Sequence, residues 1–204
     1  MSIILIRHGE TALNVARIMQ PADTPLSERG RRQAAAVARR FSTVVIGAIV
    51  SSDLPRAMET SRAISAATGV AVRISSLLHE RNFGELRGMA YDGLGYDPIS
   101  MEEAPPGGES MQALRERAMQ AMALLCEIRA TIKNDLLVVS HGFFIRTLLA
   151  HHVQMPGNAP APTRIDNTSV TIITSDAPHH ASLVNDTNHL TGELRDDARG
   201  VSGV

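Results

Sequence analysis

The sequence lacks several features that would point to particular classes of protein. Its 204 residues include one cysteine, Cys126, so no intramolecular disulfide can form, and a reducing compartment is expected. Tryptophan is absent and aromatic residues make up 3% of the chain, so the core has to be built mainly from aliphatic side chains and methionine. No apolar run approaches the roughly 20 residues of a membrane-spanning helix. The first run ends at Arg7, which is too short for a signal peptide, and the predicted location is cytoplasmic.

The chain also lacks an excess of charge of either sign. Twenty basic and 21 acidic residues give a net charge of −1, which predicts neither a nucleic acid nor an anionic membrane as partner. A chain of this length buries roughly 70% of the surface that its unfolded form exposes, so it needs no metal or disulfide to fold. We predict a single domain over residues 1–204, with a polar and mobile tail after about residue 190. The oligomeric state stays open, and a homodimer is compatible with the sequence.

Short apolar runs alternate with longer stretches of helical spacing. The runs are rich in β-branched residues and predict four buried strands, at residues 3–6, 44–50, 136–139 and 170–174. Such continuous apolar strands, separated by helices, predict an α/β fold of three layers. Its central sheet is mostly parallel, with helices on both faces.

Four helices are predicted between and after these strands. The first follows Ser27 and the second follows Asp53, and both residues are suitable N-caps. Pro55 is tolerated in the first turn of the second helix, where N–H groups have no partner within the helix. The third helix is predicted at about 109–132 and the fourth at about 143–151.

Two segments interrupt this alternation. Residues 81–108 are rich in glycine, proline and acidic side chains, and residues 154–163 contain three prolines. Both are predicted to be ordered surface loops, and loops of this kind frame the ligand site in open α/β sheets.

Two of the predicted strands end in a histidine followed by a glycine. The first strand runs into Arg7-His8-Gly9-Glu10, and the third runs into Ser140-His141-Gly142. Ligands bind beyond the carboxyl ends of parallel strands, so both imidazoles are placed where a reactive group is expected. If the two strands are neighbours, His8 and His141 converge on one pocket. An imidazole acts as a nucleophile, a base or a metal ligand near neutral pH.

Charged residues accompany these strand ends. Arg56 lies in the first turn of the second helix, where N–H groups and the helix dipole also favour anions. Together with Arg7 it provides two guanidinium groups suited to phosphate oxygens. Glu80 follows the apolar pair Leu77-Leu78 and is a candidate general acid if its surroundings favour the protonated form.

Taken together, these motifs resemble those of the histidine phosphatase superfamily, which includes cofactor-dependent phosphoglycerate mutases. The matching segments span nearly the whole chain in the family's order, which is far more specific than a single Arg-His-Gly triplet. They are 7–11 with Asn14, 23–30, 51–60, 80–85 with Gly88, 106–110, 140–142 and 167–170.

The resemblance implies a role for each matching residue. It implies that His8 is the nucleophile, that Arg7, Arg56 and His141 bind the phosphoryl oxygens, and that Asn14 adds a hydrogen bond to the phosphate. Glu80 is implied as the proton donor to the leaving oxygen and later as the base that activates water. A small phosphorylated molecule is the implied substrate, and no metal or organic cofactor is implied. Two arginines and a protonated His141 would supply the positive charge that phosphoryl transfer requires.

The sequence leaves three functions open and favours the first. A phosphomonoesterase is favoured because residues 89–103 are acidic and provide no lysine or arginine for a second anionic group, as a mutase would need. A phosphoglycerate mutase-type enzyme is the alternative, and Arg81 and Arg87 are the residues that would support it. A non-catalytic phosphate- or protein-binding module is the third possibility, although His8, Arg56 and His141 are all retained.

Overall fold

The computed structural model describes residues 2–92 and 94–195. Six strands form one sheet: β1 (Ser2–Arg7), β2 (Ile46–Ser51), β3 (Val72–Ile74), β4 (Asp135–Ser140), β5 (Val170–Thr174) and β6 (Ala181–Asp186). Their order across the sheet is β3-β2-β4-β1-β5-β6. The pairs that join β3, β2, β4 and β1 are parallel, whereas β5 pairs antiparallel with β1 and with β6.

Five α-helices accompany the sheet in the described residues. They are α1 (Ala12–Val15), α2 (Glu28–Phe41), α3 (Pro55–Thr68), α4 (Met111–Ala130) and α5 (Gly142–His152). Short 3-10 turns occur at Ser76–Leu78, Gly84–Leu86, Pro156–Asn158 and Gly192–Leu194. None of the described helices combines the length and the apolar character needed to cross a bilayer.

The helices cover both faces of the sheet because successive side chains of a strand point to opposite sides. Ile3 and Leu5 of β1 pack in one apolar cluster with residues of α4 and α5. Ile4 and Ile6 pack in a second cluster with residues of α2 and α3, among them Val37. The predicted three-layer α/β architecture with a mostly parallel sheet is therefore confirmed.

The predicted elements are largely present, with boundaries that shift by a few residues. The second strand begins at Ile46, because Val44 and Val45 lie in an exposed turn after α2. Two further strands, β3 and β6, were not predicted. They are edge strands with many exposed or half-buried positions and so give no continuous apolar run. Ser27 caps α2 as predicted, through a hydrogen bond from the backbone N–H of Gly30.

Asp53 is not the N-cap of the second helix, contrary to the prediction. That position is held by Leu54, whose side chain makes no capping hydrogen bond, and Pro55 occupies the first turn as predicted. The Asp53 carboxylate is instead paired with Nε2 of His79. Because the carboxylate is oriented towards His79, it does not cap the helix.

The tail predicted to be mobile after about residue 190 is held in place over its first residues. The carbonyl oxygen of Glu193 accepts a hydrogen bond from Arg29 Nε at 2.7 Å, and that of Leu194 accepts one from Gln33 Nε2 at 2.9 Å. The rest of the predicted tail, residues 196–204, lies outside the described residues.

Candidate active site

Three strand ends meet at one edge of the sheet. β4 lies between β1 and β2, and Arg7 at the end of β1 is paired in register with Ser140 at the end of β4. The backbone N–H of His8 donates to the carbonyl of Ser140 at 3.0 Å, and that of Ser52 donates to Val139 at 3.0 Å. The residues that follow these strands, His8, Ser52 and His141, are thereby held side by side.

His8 and His141 form a close pair, as the sequence predicted for neighbouring strands. Their ring centroids are 5.1 Å apart and the ring planes are inclined by 60°. Both side chains are almost completely buried, with 1% and 0% of their surface exposed. The arrangement puts two imidazoles side by side at the carboxyl edge of the sheet.

The His8 ring is fixed by a hydrogen bond to the backbone carbonyl of the next residue, Gly9. Nδ1 lies 2.7 Å from the carbonyl oxygen of Gly9, which can only accept, so Nδ1 carries the proton and Nε2 has a free lone pair. Burial lowers the pKa of His8 well below its usual value, and the charges of Arg56 and Arg7 lower it further. The ring is therefore neutral at neutral pH.

His141 is held through Nε2, whereas His8 is held through Nδ1. Its Nε2 lies 2.8 Å from the hydroxyl of Ser52. Its Nδ1 is buried and has no hydrogen-bond partner within the described part of the chain. Burial, then Arg56 and His8, lower the pKa of His141 well below its usual value. The protonated His141 expected from the sequence is thus disfavoured by these surroundings, whereas a bound anion would favour it.

Two buried arginines lie beside these rings. Arg7 is 1% exposed and Arg56 is 2% exposed. Arg7 Nη1 donates to the carbonyl of Ile165 at 2.6 Å, which orients the guanidinium group. Arg56 Nη1 makes longer hydrogen bonds of 3.3 and 3.5 Å to the carbonyls of Pro21 and Ala22, and its Nε has no partner among the described residues. Burial lowers the pKa of Arg56 to about 10, so the group stays cationic at neutral pH.

Glu80 is anchored at the beginning of α5. Its Oε2 accepts a hydrogen bond from Phe143 N–H at 3.1 Å, and its Oε1 accepts from Phe144 N–H at 2.9 Å and from Arg81 N–H at 3.0 Å. These donors and the nearby arginines favour the carboxylate, but burial outweighs them and raises the pKa of Glu80. The hydroxyl of Ser140 donates to Leu78 at 2.7 Å and ties the segment before Glu80 to β4.

The turn after His8 is rigid and closely packed. Thr11 and Asn14 form a capping box at the start of α1: the Asn14 side-chain oxygen accepts from Thr11 N–H at 3.2 Å, and Thr11 Oγ1 accepts from Asn14 N–H at 3.0 Å. The Asn14 side chain is buried. A Cβ atom at Gly9 would lie 2.5 Å from the carbonyl oxygen of Gly30, so glycine at this position permits close packing against the backbone of α2.

Two cavities lie beside Glu80. The first is a narrow space in which Arg56, Gln20 and Phe83 are among the lining residues. The second has a volume of about 480 Å³ and is lined mostly by polar side chains: Ser76, His79, Asn82, Glu109, Ser110 and Arg117. Both cavities are lined by Leu54, Glu80 and Arg87, which therefore lie at the junction between them.

The predicted loop at 81–108 therefore lines these cavities, through residues such as Asn82 and Arg87. The predicted loop at 154–163 supplies no residue to either of them. It lies instead beside β6, where Gln154 forms a β-bridge with His180.

Arg81 and Arg87 have different environments. Arg81 is 2% exposed and donates to the carbonyl oxygens of Glu109 at 3.0 Å and Met101 at 2.7 Å, so it closes the loop onto itself. Arg87 is exposed at the junction of the two cavities, and its side chain has no hydrogen bond or ion pair within the described residues. Of the two residues that would support a mutase, only Arg87 remains available to a ligand.

Sequence reasoning missed two buried polar side chains in this region. Gln20 lines the narrow cavity beside Arg56, and its Oε1 accepts a hydrogen bond from Thr11 at 2.9 Å. The hydroxyl of Tyr91 is buried without a partner in the described residues. Burial and the charge of Glu80 raise its pKa, and Arg7 and Arg56 also act on it. No local pattern marks either residue, because a distant segment brings each of them to the site.

Comparison with known proteins agrees with this geometry. A protein of Erwinia tasmaniensis named as a probable phosphoglycerate mutase, GpmB, is 32% identical over 180 residues, which cover 83% of each chain. The structure of a mycobacterial glucosyl-3-phosphoglycerate phosphatase, in complex with VO3, superimposes with a TM-score of 0.79 at 28% identity. The superposition covers 91% of this chain and 99% of that one.

A further structure, that of YhfR from Bacillus stearothermophilus, has a TM-score of 0.79 and 30% identity, and covers 92% of this chain and 98% of that chain. The family described as the histidine phosphatase superfamily (branch 1) matches residues 3–187. With two buried imidazoles at adjacent strand ends and this match over most of its length, the chain belongs to the histidine phosphatase superfamily.

Proposed function

We propose that this enzyme hydrolyses a small phosphomonoester through a phosphohistidine intermediate on His8. The observation that carries the proposal is the pair of buried imidazoles, with ring centroids 5.1 Å apart, beside the buried Arg7 and Arg56. Such a cluster of buried donors is suited to one tetrahedral dianion. The Arg56 Nε and His141 Nδ1 atoms, buried and without partners in the described chain, are where phosphoryl oxygens would be bound.

The first step transfers the phosphoryl group to His8. Its Nε2 lone pair attacks phosphorus, a P–N bond forms and the P–O bond to the leaving group breaks. Arg7, Arg56, His141 and Asn14 hold the equatorial oxygens and stabilise the charge that spreads over them. The Gly9 carbonyl accepts from Nδ1–H throughout, so the ring that becomes cationic keeps its hydrogen bond.

Glu80 supplies the proton that the leaving oxygen needs. Its Oε1 accepts two backbone N–H bonds and its Oε2 accepts one, so Oε2 is the oxygen with room for the acidic proton. In the second step the resulting carboxylate takes a proton from water, which attacks phosphorus as the P–N bond breaks. Inorganic phosphate is released, and His8 and Glu80 return to their starting forms.

Hydrolysis is favoured over the mutase reaction by the surroundings of the larger cavity. Arg81 is occupied by backbone carbonyls and Arg117 is paired with Glu109, so neither is available to a second anionic group. The mycobacterial phosphatase with a similar fold supports the same assignment. The exposed Arg87 and the relatives named as probable phosphoglycerate mutases favour the alternative, a phosphoglycerate mutase-type transfer.

Assays of the purified protein and its His8→Ala variant test the proposal. We expect the wild type to release phosphate from a panel of small phosphomonoesters and to show a phosphorylated species by intact mass. Both signals should be lost in His8→Ala and kept in the control His151→Ala, which removes an exposed histidine. Equal release by wild type and His8→Ala would refute the assignment. Isomerisation of phosphoglycerates that outpaces hydrolysis would establish the mutase alternative, and phosphate binding without turnover would indicate a binding module.

A further inference from the structure

Ser52 contacts a catalytic ring but has no role in the reaction described above. It follows β2 directly, is 0% exposed, and its hydroxyl lies 2.8 Å from Nε2 of His141. The backbone N–H of Ser52 donates to Val139 of β4, so the residue is held at a fixed position relative to the strand that precedes His141.

The direction of this hydrogen bond follows from the other partners of the hydroxyl. Ser52 Oγ already accepts a hydrogen bond from Leu54 N–H at 3.3 Å. Its own proton has one acceptor among the described residues, the Nε2 atom of His141. The reverse arrangement, in which Nε2–H donates to the hydroxyl, would leave a buried O–H group with no acceptor, which is unfavourable. Ser52 is therefore the donor.

A neutral imidazole that accepts at Nε2 carries its proton on Nδ1. Nδ1 of His141 is buried, has no partner in the described chain, and belongs to a ring centred 5.1 Å from the ring of His8. It is the ring nitrogen left to reach a phosphoryl group bound to His8. The opposite tautomer would direct a lone pair at the phosphoryl oxygen, and the two would repel each other.

We propose that Ser52 is a positioning residue that keeps the proton of neutral His141 on Nδ1, where it donates to a phosphoryl oxygen. The inference rests on the proposed function for its catalytic consequence, although the tautomer itself can be observed without turnover. With the proton on Nδ1, the reaction does not require a protonated His141. Neutral His141 acts as a donor in the same way as the backbone N–H groups of an oxyanion hole.

Ring-nitrogen NMR of the ¹⁵N-histidine-labelled protein tests the tautomer directly, with His141 assigned from a His141→Gln variant. We expect the Nδ1–H form in the wild type, a shift towards the Nε2–H form in Ser52→Ala, and recovery in Ser52→Thr, which keeps the hydroxyl. Ser61→Ala removes another fully buried serine hydroxyl and should leave the His141 signals unchanged. An Nε2–H tautomer in the wild type, or an unchanged Nδ1–H tautomer in Ser52→Ala, would overturn the inference.

Kinetics provide a second readout. The kcat of Ser52→Ala should fall about 10-fold, less than the about 10²–10³-fold loss on removing an oxyanion-hole donor outright. In the variant the cationic ring donates from Nδ1 whichever tautomer the neutral ring adopts. The rate of the variant relative to wild type should therefore rise as the pH falls towards the lowered pKa of His141. The groups that act on the His141 charge, Arg56, His8, His79 and Arg7, are unchanged in this comparison. A ratio independent of pH would contradict the proposed role.

The two proposals fail separately. If neither the wild type nor the variants hydrolyse any ester, the proposed function is wrong, and the His141 tautomer still decides the role of Ser52. If the wild type is active and Ser52→Ala is unchanged in both tautomer and pH profile, only the inference about Ser52 is wrong.

Discussion

At the scale of single residues, burial has opposite effects on the pKa of the proposed nucleophile, His8, and of the proposed proton donor, Glu80. Transfer from water disfavours the charged form of each. Burial lowers the pKa of His8, whose charged form is the cation, and raises that of Glu80, whose charged form is the anion. The site thus favours a neutral nucleophile beside a protonated acid, the combination that the first chemical step needs.

This pair predicts the pH dependence of activity. Below the pKa of His8 the nucleophile is protonated, and above the pKa of Glu80 the acid is ionised, so the rate should fall on both sides. Because the first pKa is lowered and the second raised, the active range should extend well into the acidic region. Glu80→Gln should lose about 10²–10⁴-fold in kcat on alkyl phosphates, and the alkaline limb of the profile with it.

Leaving-group chemistry is the control for that variant. An aryl phosphate releases a stable phenolate and needs little protonation, so the first step of Glu80→Gln should be much less impaired on it than on an alkyl phosphate. An equal loss on both substrates would show that Glu80 is not the proton donor.

Tyr91 provides a second prediction at this scale. Its hydroxyl is buried without a partner among the described residues, and Glu80 and Arg56 both act on its charge. We expect Tyr91→Phe to reduce kcat/KM about 3–10-fold, the equivalent of one hydrogen bond to substrate, without loss of stability. Tyr96→Phe alters an exposed tyrosine and should have no effect. An unchanged kcat/KM in Tyr91→Phe would exclude a contact with substrate.

At the scale of elements, His189 joins three parts of the fold behind the active site. Its Nδ1 lies 3.2 Å from Arg40 Nη1 of α2, which donates, and its Nε2 lies 3.1 Å from the hydroxyl of Thr168. The N–H of Thr168 in turn donates to the carbonyl oxygens of Arg7 and His8. Because Nδ1 accepts from a cation, this contact requires the neutral ring.

The contact predicts a pH-dependent stability. Burial, followed by the charge of Arg40, lowers the pKa of His189 to about 4. A group whose folded pKa is depressed binds fewer protons in the folded state, so its contribution is present above the unfolded pKa of roughly 6.5 and is lost as the pH falls towards 4. The loss should be about 1–2 kcal/mol, since the ring is partly exposed and solvent screens it.

Denaturant unfolding of wild type and His189→Gln at several pH values measures this effect. The buried His8 and His141 give stability changes of the same sign, so the difference between the two proteins is the informative quantity. That difference should shrink as the pH falls from 6.5 to 4. A constant difference would mean that protonation of His189 does not contribute.

At the scale of the whole molecule, the carboxyl edge of the sheet gathers positive charge and buried donors that have no partner in the described chain. Arg56 and His141 each keep a buried nitrogen with no partner in the described chain, an arrangement that an anion would complete. Phosphate analogues should therefore stabilise the folded state through mass action. The remainder of the core is apolar and packs on both faces of the sheet.

Thermal unfolding with orthovanadate measures this stabilisation. At a concentration about 100 times Kd, binding adds about 2.7 kcal/mol, which for a chain of this size raises Tm by about 5–10 °C. The shift should disappear in Arg56→Met and persist in Arg62→Met, which changes an exposed arginine on the same helix. A shift of equal size in Arg56→Met would show that the anion binds elsewhere.

The chain's own sequence was enough for the family, the α/β class and the elements that hold the reactive residues. It was enough because β1, β2 and β4 are buried on both faces and so appear as apolar runs, each followed by its polar residues. The side chains at these strand ends could be named from sequence for the same reason. Their individual roles, Asn14 included, and the single-domain organisation stay predictions.

Tertiary structure decided what depends on contacts between distant segments. It placed β4 between β1 and β2, and so set the approach of His8 to His141. It also determined that the Arg81 side chain is hydrogen-bonded to backbone carbonyls and that the Ser52 hydroxyl contacts Nε2 of His141. Local patterns record burial and backbone preference, whereas a tautomer, a shifted pKa or an unpartnered donor is fixed by the atoms that folding brings alongside.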